Sequence, residues 1–479
     1  MNEQPLSVGW ARRDITPPLP ACLCGQFHVR VATEILDPLT LTAWAVSTAD
    51  DALIWISCDL VGIPDDFHGC CRERLARELP DFDPAKLIVS ATHTHTAPYL
   101  APMWHDGAFP SGTLTPRAYF EQVLEAAVEA AVEAWRNRSA GQISCGYGYA
   151  VCAHQRRMTY FHDLNLPHVT GEKVETNAAM YGATATPEFK GFEGYVDHRI
   201  DFIFTYGMDG RPTGAVAALP CPAQATEWLN DVSADFWHEV RLELAGRFGE
   251  AFQLLPLCCA AGDLAPRQQL QKPGEERMLK LSGQTNRQAI AARITAALEE
   301  AMRWSSQEMH SSAILRHLTG DLDVTRRKIT PEEYREVQSG LAELHQISGG
   351  DPRSESIRKA KMYRAERILE RYREQQQSPA CSIEQHVIRL GETAFCTCPQ
   401  ELFLNYALRI QARSPALSTM VVQLAGRGVK PNGYLPTAEA EQGGGYSACM
   451  YCCAIGAEGG QEMVEAAVDS LEQLFHPML

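Results

Sequence analysis

The sequence predicts an α/β fold in which layered sheets are flanked by helices. Two short apolar runs, 52–57 and 87–90, are bounded by polar residues, as is typical of buried strands. Between them, residues 67–79 repeat apolar side chains at helical spacing. A longer helix is predicted after Thr115, because Pro116 stands at a first-turn position and apolar residues recur behind it. Strands and helices thus alternate.

The pattern changes further along the chain. Further strands are predicted at 214–219, after a Met-Asp-Gly turn that suggests a hairpin, and at 252–257. Over 268–377 helices dominate, charges cluster and strand signals nearly vanish, so we expect a helical insertion there. Strand patterns resume at 386–390, 394–397 and 420–424, and a helix is predicted at 460–475.

Composition excludes several classes of protein. With 59 acidic and 43 basic residues the net charge is -16, which argues against nucleic acid as a partner. No segment approaches a membrane span and no export signal is recognised, so a cytoplasmic protein acting on a small molecule is expected. The 16 cysteines are expected to be mostly reduced and buried. A C-x-x-C lies at Cys449 and Cys452, but no second one has zinc-ribbon spacing.

Residues 87–98, L-I-V-S-A-T-H-T-H-T-A-P, turn from an apolar run into a pair of histidines. Positions i and i+2 of a strand point to the same face, so His93 and His95 are predicted to lie side by side where the strand meets its loop. That arrangement suits a metal site or an acid/base pair. The alternative is that the histidines only satisfy loop backbone groups.

Several short segments resemble the neutral/alkaline ceramidases in order and spacing. They are 8–18, 37–39, 57–60, the histidine segment, 154–157, 233–236, 261–266, 399–403, 432–437 and 443–446. The resemblance implies a ceramidase-like catalytic domain over 1–479, with 268–377 inserted in it. The immunoglobulin-like C-terminal domain of the full-length ceramidases is expected to be absent.

The resemblance also implies a metal site. In that family one zinc ion is held by two histidines, a glutamate and a tyrosine, and the matching positions here are His93, Glu401 and Tyr434. His95 and Tyr446 match groups that contact the substrate beside the metal. The alternatives are that Glu401 caps the following helix and that Tyr434 is an ordinary loop aromatic.

Two positions depart from the family pattern. Cys221-Pro222 stands where the family has a histidine ligand before a proline. A thiolate is a competent zinc ligand, but Cys221 could instead be packed in the core, with the metal held by fewer groups or by His238. In 262–266, G-D-L-A-P, Ala265 replaces the serine proposed as the family's nucleophile. True ceramidase activity is therefore not expected.

Other chemistry remains open. A zinc ion lowers the pKa of bound water. His95 is the candidate proton carrier because an unperturbed imidazole titrates near physiological pH, and His238 and Asp263 are secondary candidates. Arg156 and Arg157 could clamp an anionic group of the substrate; the alternative is a pair of solvated surface arginines.

Three functions follow. The first is a zinc-dependent hydrolase that cleaves a small polar amide, ester or glycoside with metal-activated water. The second is a metal-dependent lyase acting on a sugar or uronate derivative, with Tyr434, Tyr446 or His95 as acid or base. The third is an inactive binding protein, which the retained histidine, glutamate and tyrosines argue against. A homo-oligomer is left open.

Overall fold

The computed structural model describes residues 2–101, 109–164, 177–429 and 433–476, and the backbone of 166–167 and 173–174. Its strands, numbered along the chain, are β1 (Gln4–Pro5), β2 (Ser7–Asp14), β3 (Ala21–Leu23), β4 (Arg30–Ala32), β5 (Thr40–Ser47), β6 (Ala52–Cys58), β7 (Leu87–Ala91), β8 (Ser139–Tyr149), β9 (His154–Gln155), β10 (Arg157–Tyr160), β11 (Leu166–Pro167), β12 (Lys173–Val174), β13 (Ala178–Met180), β14 (Phe189–Phe192), β15 (Arg199–Gly207), β16 (Pro212–Leu219), β17 (Gln253–Cys258), β18 (Leu264–Ala265), β19 (Ser312–Ala313), β20 (Leu315–Thr325), β21 (Ala380–Leu390), β22 (Thr393–Cys398), β23 (Glu401–Leu402), β24 (Ser418–Gln423) and β25 (Tyr434–Leu435). Its helices are α1 (Asp65–Glu78), α2 (Pro116–Arg136), α3 (Phe236–Phe248), α4 (Lys272–Ser282), α5 (Asn286–Ser305), α6 (Pro331–Gln346), α7 (Pro352–Gln377), α8 (Leu404–Arg413), α9 (Ala438–Gly443) and α10 (Ala457–Phe475).

Two sheets form the centre of the fold. One has eight strands in the order β17-β16-β15-β8-β2-β5-β6-β7, and the other has four in the order β20-β21-β22-β24. They pack face to face, with Trp55 of β6 and Phe395 of β22 at 5.2 Å between ring centroids. Because successive side chains of a strand point to opposite faces, Ile54 and Ile56 of β6 pack instead with α1 and α2. Helices α8 and α10 cover the outer face of the small sheet.

This layering confirms the predicted α/β class. The apolar runs at 52–57 and 87–90 form β6 and β7, and the Met208 turn joins the antiparallel strands β15 and β16. The predicted helices after Thr115 and at the chain end form α2 and α10. No helix within the described ranges has both the length and the apolar character needed to cross a bilayer.

The segment 268–377 contains α4 to α7, as its helical pattern predicts, but the expectation that strands nearly vanish there is wrong. Strand β20 pairs with β21 from Leu315 to Thr325. It lies at the edge of the small sheet, and most of its residues are partly or fully exposed. Such a strand needs no continuous apolar run, which is why its signal was missed. The single-domain organisation with an insertion stays a prediction.

Loops from both sheets meet at one end of the layers. Three strand pairs there are parallel: β6 with β7, β16 with β17, and β22 with β24. The loop after β16 reaches the loop after β7 through Ala223 N, which donates to Thr92 O at 3.1 Å. The loop after β17 reaches β23 through Gly262 N, which donates to Leu402 O at 2.8 Å. Polar residues in these loops are thereby brought together, as is usual at the carboxyl ends of parallel strands.

Candidate active site

The histidine pair lies just beyond β7. The strand ends at Ala91, so strand alternation does not place the pair as the sequence predicts. His93 instead adopts a left-handed backbone conformation, with φ of 66°, which is unfavourable for a non-glycine residue. The rings of His93 and His95 are nevertheless neighbours, edge to face with centroids 4.9 Å apart.

Glu401 and Tyr434 are aligned by the short parallel pair β23 and β25, in which they are register partners. Glu401 N donates to Gly433 O at 3.0 Å. The backbone of Gly262 passes directly behind this pair, where a Cβ atom would lie 2.4 Å from the carbonyl oxygen of Glu401. A side chain at position 262 would therefore displace Glu401.

His93 and Glu401 face each other through Nε2 and Oε2. The Nδ1–H of His93 donates to Val61 O at 2.6 Å, so in the neutral ring Nε2 carries the lone pair. That Nε2 is 3.2 Å from Oε2 of Glu401. Oε2 is buried and receives no hydrogen bond of good geometry from the described residues. Two facing acceptors at this distance are stable only with a proton or a metal cation between them.

The charge of this carboxylate is supported by its surroundings. Burial alone raises the pKa of Glu401, but His93 and then Arg156 outweigh it, and the pKa is lowered. The pKa of Tyr434 is raised well above its usual value, first by burial and then by Glu401. Tyr434 therefore keeps its proton in the protein alone, and its hydroxyl interacts with that of Tyr446. The two tyrosine rings are 5.6 Å apart, edge to face.

Arg156 lies inside the site and is 3 % exposed. Its Nη2 donates to Gly262 O at 2.8 Å and to the Tyr434 hydroxyl at 3.4 Å, and lies 3.8 Å from Oε2 of Glu401. Its Nε is buried and has no partner in the described structure. This arrangement argues against a solvated surface arginine and leaves a donor for a bound group.

His95 is held by two residues that the sequence reasoning missed, Gln224 and Glu227. Arg156 Nη1 donates to Oε1 of Gln224 at 3.4 Å, which orients the amide so that its Nε2 donates to Nε2 of His95 at 2.9 Å. The proton of His95 is therefore on Nδ1, which is 3.4 Å from Oε2 of Glu227. Burial lowers the pKa of His95 to about 4, so it is neutral at physiological pH and the expected near-neutral titration is not found. Both residues follow β16, in the segment that also holds Cys221.

The structure does not bring Cys221 or His238 to this group. The thiol of Cys221 is fully buried in an apolar cluster and donates to Cys152 O at 3.4 Å. Burial raises its pKa well above the usual value, which disfavours the thiolate. His238 lies in the first turn of α3. Within the described ranges, no three His, Cys, Asp or Glu side chains are arranged to hold a metal ion.

Two other predicted site residues, Arg157 and Asp263, hold the loops behind the site in place. Arg157 is completely buried, with Nε donating to Glu193 at 2.5 Å and Nη1 to Tyr446 O at 2.8 Å, so its charge is not free for a substrate. Asp263 accepts from Leu404 N and from Gln155 Nε2, both at 2.8 Å. Burial raises the pKa of Asp263. Both residues anchor loops.

A cavity of about 260 Å³ adjoins His93 and Glu401. Most of its wall is apolar, formed by Val61, Ile63, Pro98, Tyr99, Leu100 and Leu424. The site thus combines a small polar floor with apolar walls, the usual composition of a small-molecule pocket.

The fold as a whole is similar to that of solved structures. The crystal structure of the neutral ceramidase from Pseudomonas aeruginosa superposes with a TM-score of 0.69 at 16% identity, covering 99% of this chain and 75% of that chain. A ceramidase complexed with C2 superposes with a TM-score of 0.67 at 15% identity, covering 98% and 75%. No family model and no curated protein matches the sequence. The chain therefore has the neutral ceramidase fold, which confirms the resemblance at the level of the fold.

Proposed function

We propose that this chain is a metal-dependent hydrolase in which His93, Glu401 and Tyr434 hold one zinc ion. The supporting observation is the contact between His93 Nε2 and Glu401 Oε2, two facing acceptors 3.2 Å apart in a buried site. An imidazole nitrogen, a carboxylate oxygen and a phenol oxygen are all zinc donors, and catalytic zinc sites commonly have three protein ligands. The Val61 carbonyl orients His93 as outer-sphere partners of zinc-bound histidines do.

When bound, zinc polarises a substrate carbonyl and lowers the pKa of water. The protein groups around it have separate tasks in this proposal. Arg156 places its positive charge and its unpartnered Nε–H beside the position where negative charge develops. His95 lies beside His93 with its Nε2 hydrogen-bonded to the amide of Gln224, and Tyr446 presents its hydroxyl next to Tyr434. These groups orient the substrate and accept or donate protons at its reacting bond.

The cavity limits the class of substrate, and Ala265 limits the attacking group. Apolar walls around about 260 Å³ favour an amide or ester whose acyl or alkyl part is small and apolar, rather than a glycoside. Ala265 is buried and paired with His154 in the short ladder of β18 and β9. It has no hydroxyl, so the proposed attack is by water and not by a side chain.

A screen of amides and esters with acyl chains of graded length tests the proposal. We expect hydrolysis of short-chain substrates, loss of activity after chelation and recovery with zinc. Ceramide should not be turned over appreciably. The Glu401→Gln variant should be inactive, whereas His238→Gln, which changes a histidine outside the site, should be active. Activity that survives both chelation and Glu401→Gln would refute the proposal, and an unsaturated product would replace hydrolysis by a lyase reaction.

A further inference from the structure

A loop between α9 and α10 carries both Tyr446 and the C-x-x-C motif. Within it, Cys452 N donates to Cys449 O at 3.0 Å, which closes a β-turn with the two cysteines at its ends. Their sulfur atoms are 3.7 Å apart, and both are free thiols. The turn keeps the Cα atoms within the range that a disulfide spans, so a bond can form when the side chains rotate and the turn adjusts to bring the sulfur atoms together.

The surroundings favour an ionised sulfur at Cys449. The thiol of Cys452 hydrogen-bonds to it and lowers its pKa, and the guanidinium groups of Arg327 and Arg364 act in the same direction. Arg371 holds the same loop, with Nη1 donating to Met450 O at 2.7 Å and Nη2 to Cys453 O at 2.6 Å. A thiolate next to a second thiol in a positive environment is the arrangement of reactive dithiols.

The turn is directly connected to the candidate active site. Tyr434 N donates to Cys452 O at 2.9 Å, so the backbone of the C-x-x-C turn fixes the position of Tyr434. Tyr446 lies three residues before Cys449 in the same loop, and its ring contacts the ring of Tyr434. Between them, Ser447 has a left-handed backbone with φ of 72°, and its carbonyl accepts from the thiol of Cys453 at 3.3 Å. A displacement of the turn would therefore reach both tyrosines.

We propose that Cys449 and Cys452 form a reversible redox modification site that a small hydroperoxide oxidises to a disulfide, and that this bond moves Tyr434 and Tyr446. The Cys449 thiolate attacks the peroxide oxygen, giving a sulfenic acid while the O–O bond breaks and, after protonation, releases water or an alcohol. The Cys452 sulfur then attacks the Cys449 sulfur, and the sulfenic oxygen leaves as water. Two thiols are oxidised and one peroxide is reduced. A dithiol reverses the change by exchange.

The regulatory part rests on the proposed function, since it assumes that the two tyrosines serve the reaction. The disulfide between Cys449 and Cys452 does not depend on that function. Its test is peptide mapping of the full chain by mass spectrometry. One sample is taken before and one after brief treatment with hydrogen peroxide, and the free thiols of each sample are blocked with a thiol reagent before mapping. We expect one new cross-link, between Cys449 and Cys452, with loss of two hydrogens and full reversal by a dithiol.

Amide hydrogen exchange measures the coupling without any substrate. Oxidation should speed exchange of the peptide that contains Tyr434 by about fivefold, the factor expected when one hydrogen bond is lost. The Cys453→Ser variant is the matched control and should form the same cross-link, whereas Cys452→Ser should form none and show no change in exchange. Oxidised wild-type protein with both thiols still free, or with Cys453 in the bond, overturns the modification site. A correct disulfide with unchanged exchange at Tyr434 overturns the coupling.

Discussion

His95 and Glu227 form an imidazole–carboxylate pair, with Nδ1 of His95 3.4 Å from Oε2 of Glu227. The carboxylate is itself paired with Arg267, and its backbone carbonyl accepts from Arg30 Nη1 at 2.9 Å. Burial raises the pKa of Glu227, but the neighbouring His95 and then the charge of Arg267 outweigh it, and the pKa is lowered. Glu227 is therefore a positioning residue that keeps the proton of His95 on Nδ1, so that Nε2 accepts the hydrogen bond from Gln224.

The first prediction concerns this pair. His95→Ala should lower kcat by about 10²-fold, the usual contribution of a general acid or base. Glu227→Gln should lower kcat by less, because the uncharged amide oxygen can still take the place of the carboxylate oxygen beside Nδ1 of His95. Glu465→Gln, a change of the same chemistry at an exposed ion pair with Arg413, is the control. Steady-state kinetics of the three variants decide this, and an unimpaired His95→Ala enzyme would remove His95 from the reaction.

The second prediction is that about one zinc ion binds per chain and depends on His93 and Glu401. His93→Ala and Glu401→Gln each remove one of the proposed zinc ligands, so both variants should lose most of the metal. His238→Ala should retain it. Elemental analysis of protein dialysed against trace zinc measures the content. Full occupancy in both site variants would show that the ion, if any, binds elsewhere.

The third prediction is that Cys221 does not bind the metal. Because its thiol donates to Cys152 O inside an apolar cluster, Cys221→Ala should leave metal content unchanged and lower stability by about 1 kcal/mol. Cobalt-loaded wild-type protein should show no thiolate charge-transfer band. A band that disappears in Cys221→Ala would instead place the sulfur on the metal.

The fourth prediction concerns acid stability. His68 of α1 is fully buried with both ring nitrogens unpartnered, and burial followed by the charge of Arg72 lowers its pKa to about 3. Since the unfolded chain then binds the proton first, stability should fall as pH decreases from about 6.5 towards 3, by about 2 kcal/mol at pH 5. His68→Leu should make this dependence less steep in urea unfolding measured between pH 8 and pH 5. An unchanged slope would contradict the assignment.

The depressed pKa of Glu384 acts in the same direction. Its carboxylate accepts from Arg72 at 2.6 Å and lies 3.6 Å from His386. Burial raises its pKa, but His386 and Arg72 together lower it well below the usual value. Stability from this group is therefore present above the unfolded pKa and is lost as pH falls. Between pH 8 and pH 5 the part of the acid effect that remains in His68→Leu should be assigned to other buried histidines with lowered pKa values, such as His95 and His317, whereas Glu384 contributes as pH falls through its ordinary value of 4.5.

The sequence by itself predicted the α/β class, the buried strands β6 and β7, and the neighbouring His93 and His95, whereas Glu401 and Tyr434 were implied by the resemblance to the neutral/alkaline ceramidases. Periodicity and short motifs express local preferences, and the chain keeps these preferences when it folds. The fold resemblance also followed from short segments alone, although the overall identity to the solved structures is only 15–16%.

Only the tertiary structure decided which partners those residues have. Gln224 and Glu227 reach His95 from more than 120 positions away, and no local pattern marks that contact. Cys221 follows a strand that ends near the site, yet its thiol points to Cys152 in the core, because the direction of a loop side chain depends on packing around it. Arg156 and Arg157 are sequence neighbours that point to different places, one to Glu401 and the other to Glu193. Arg156 lies between β9 and β10 whereas Arg157 begins β10, and only the assembled layers show which of the two side chains reaches the site.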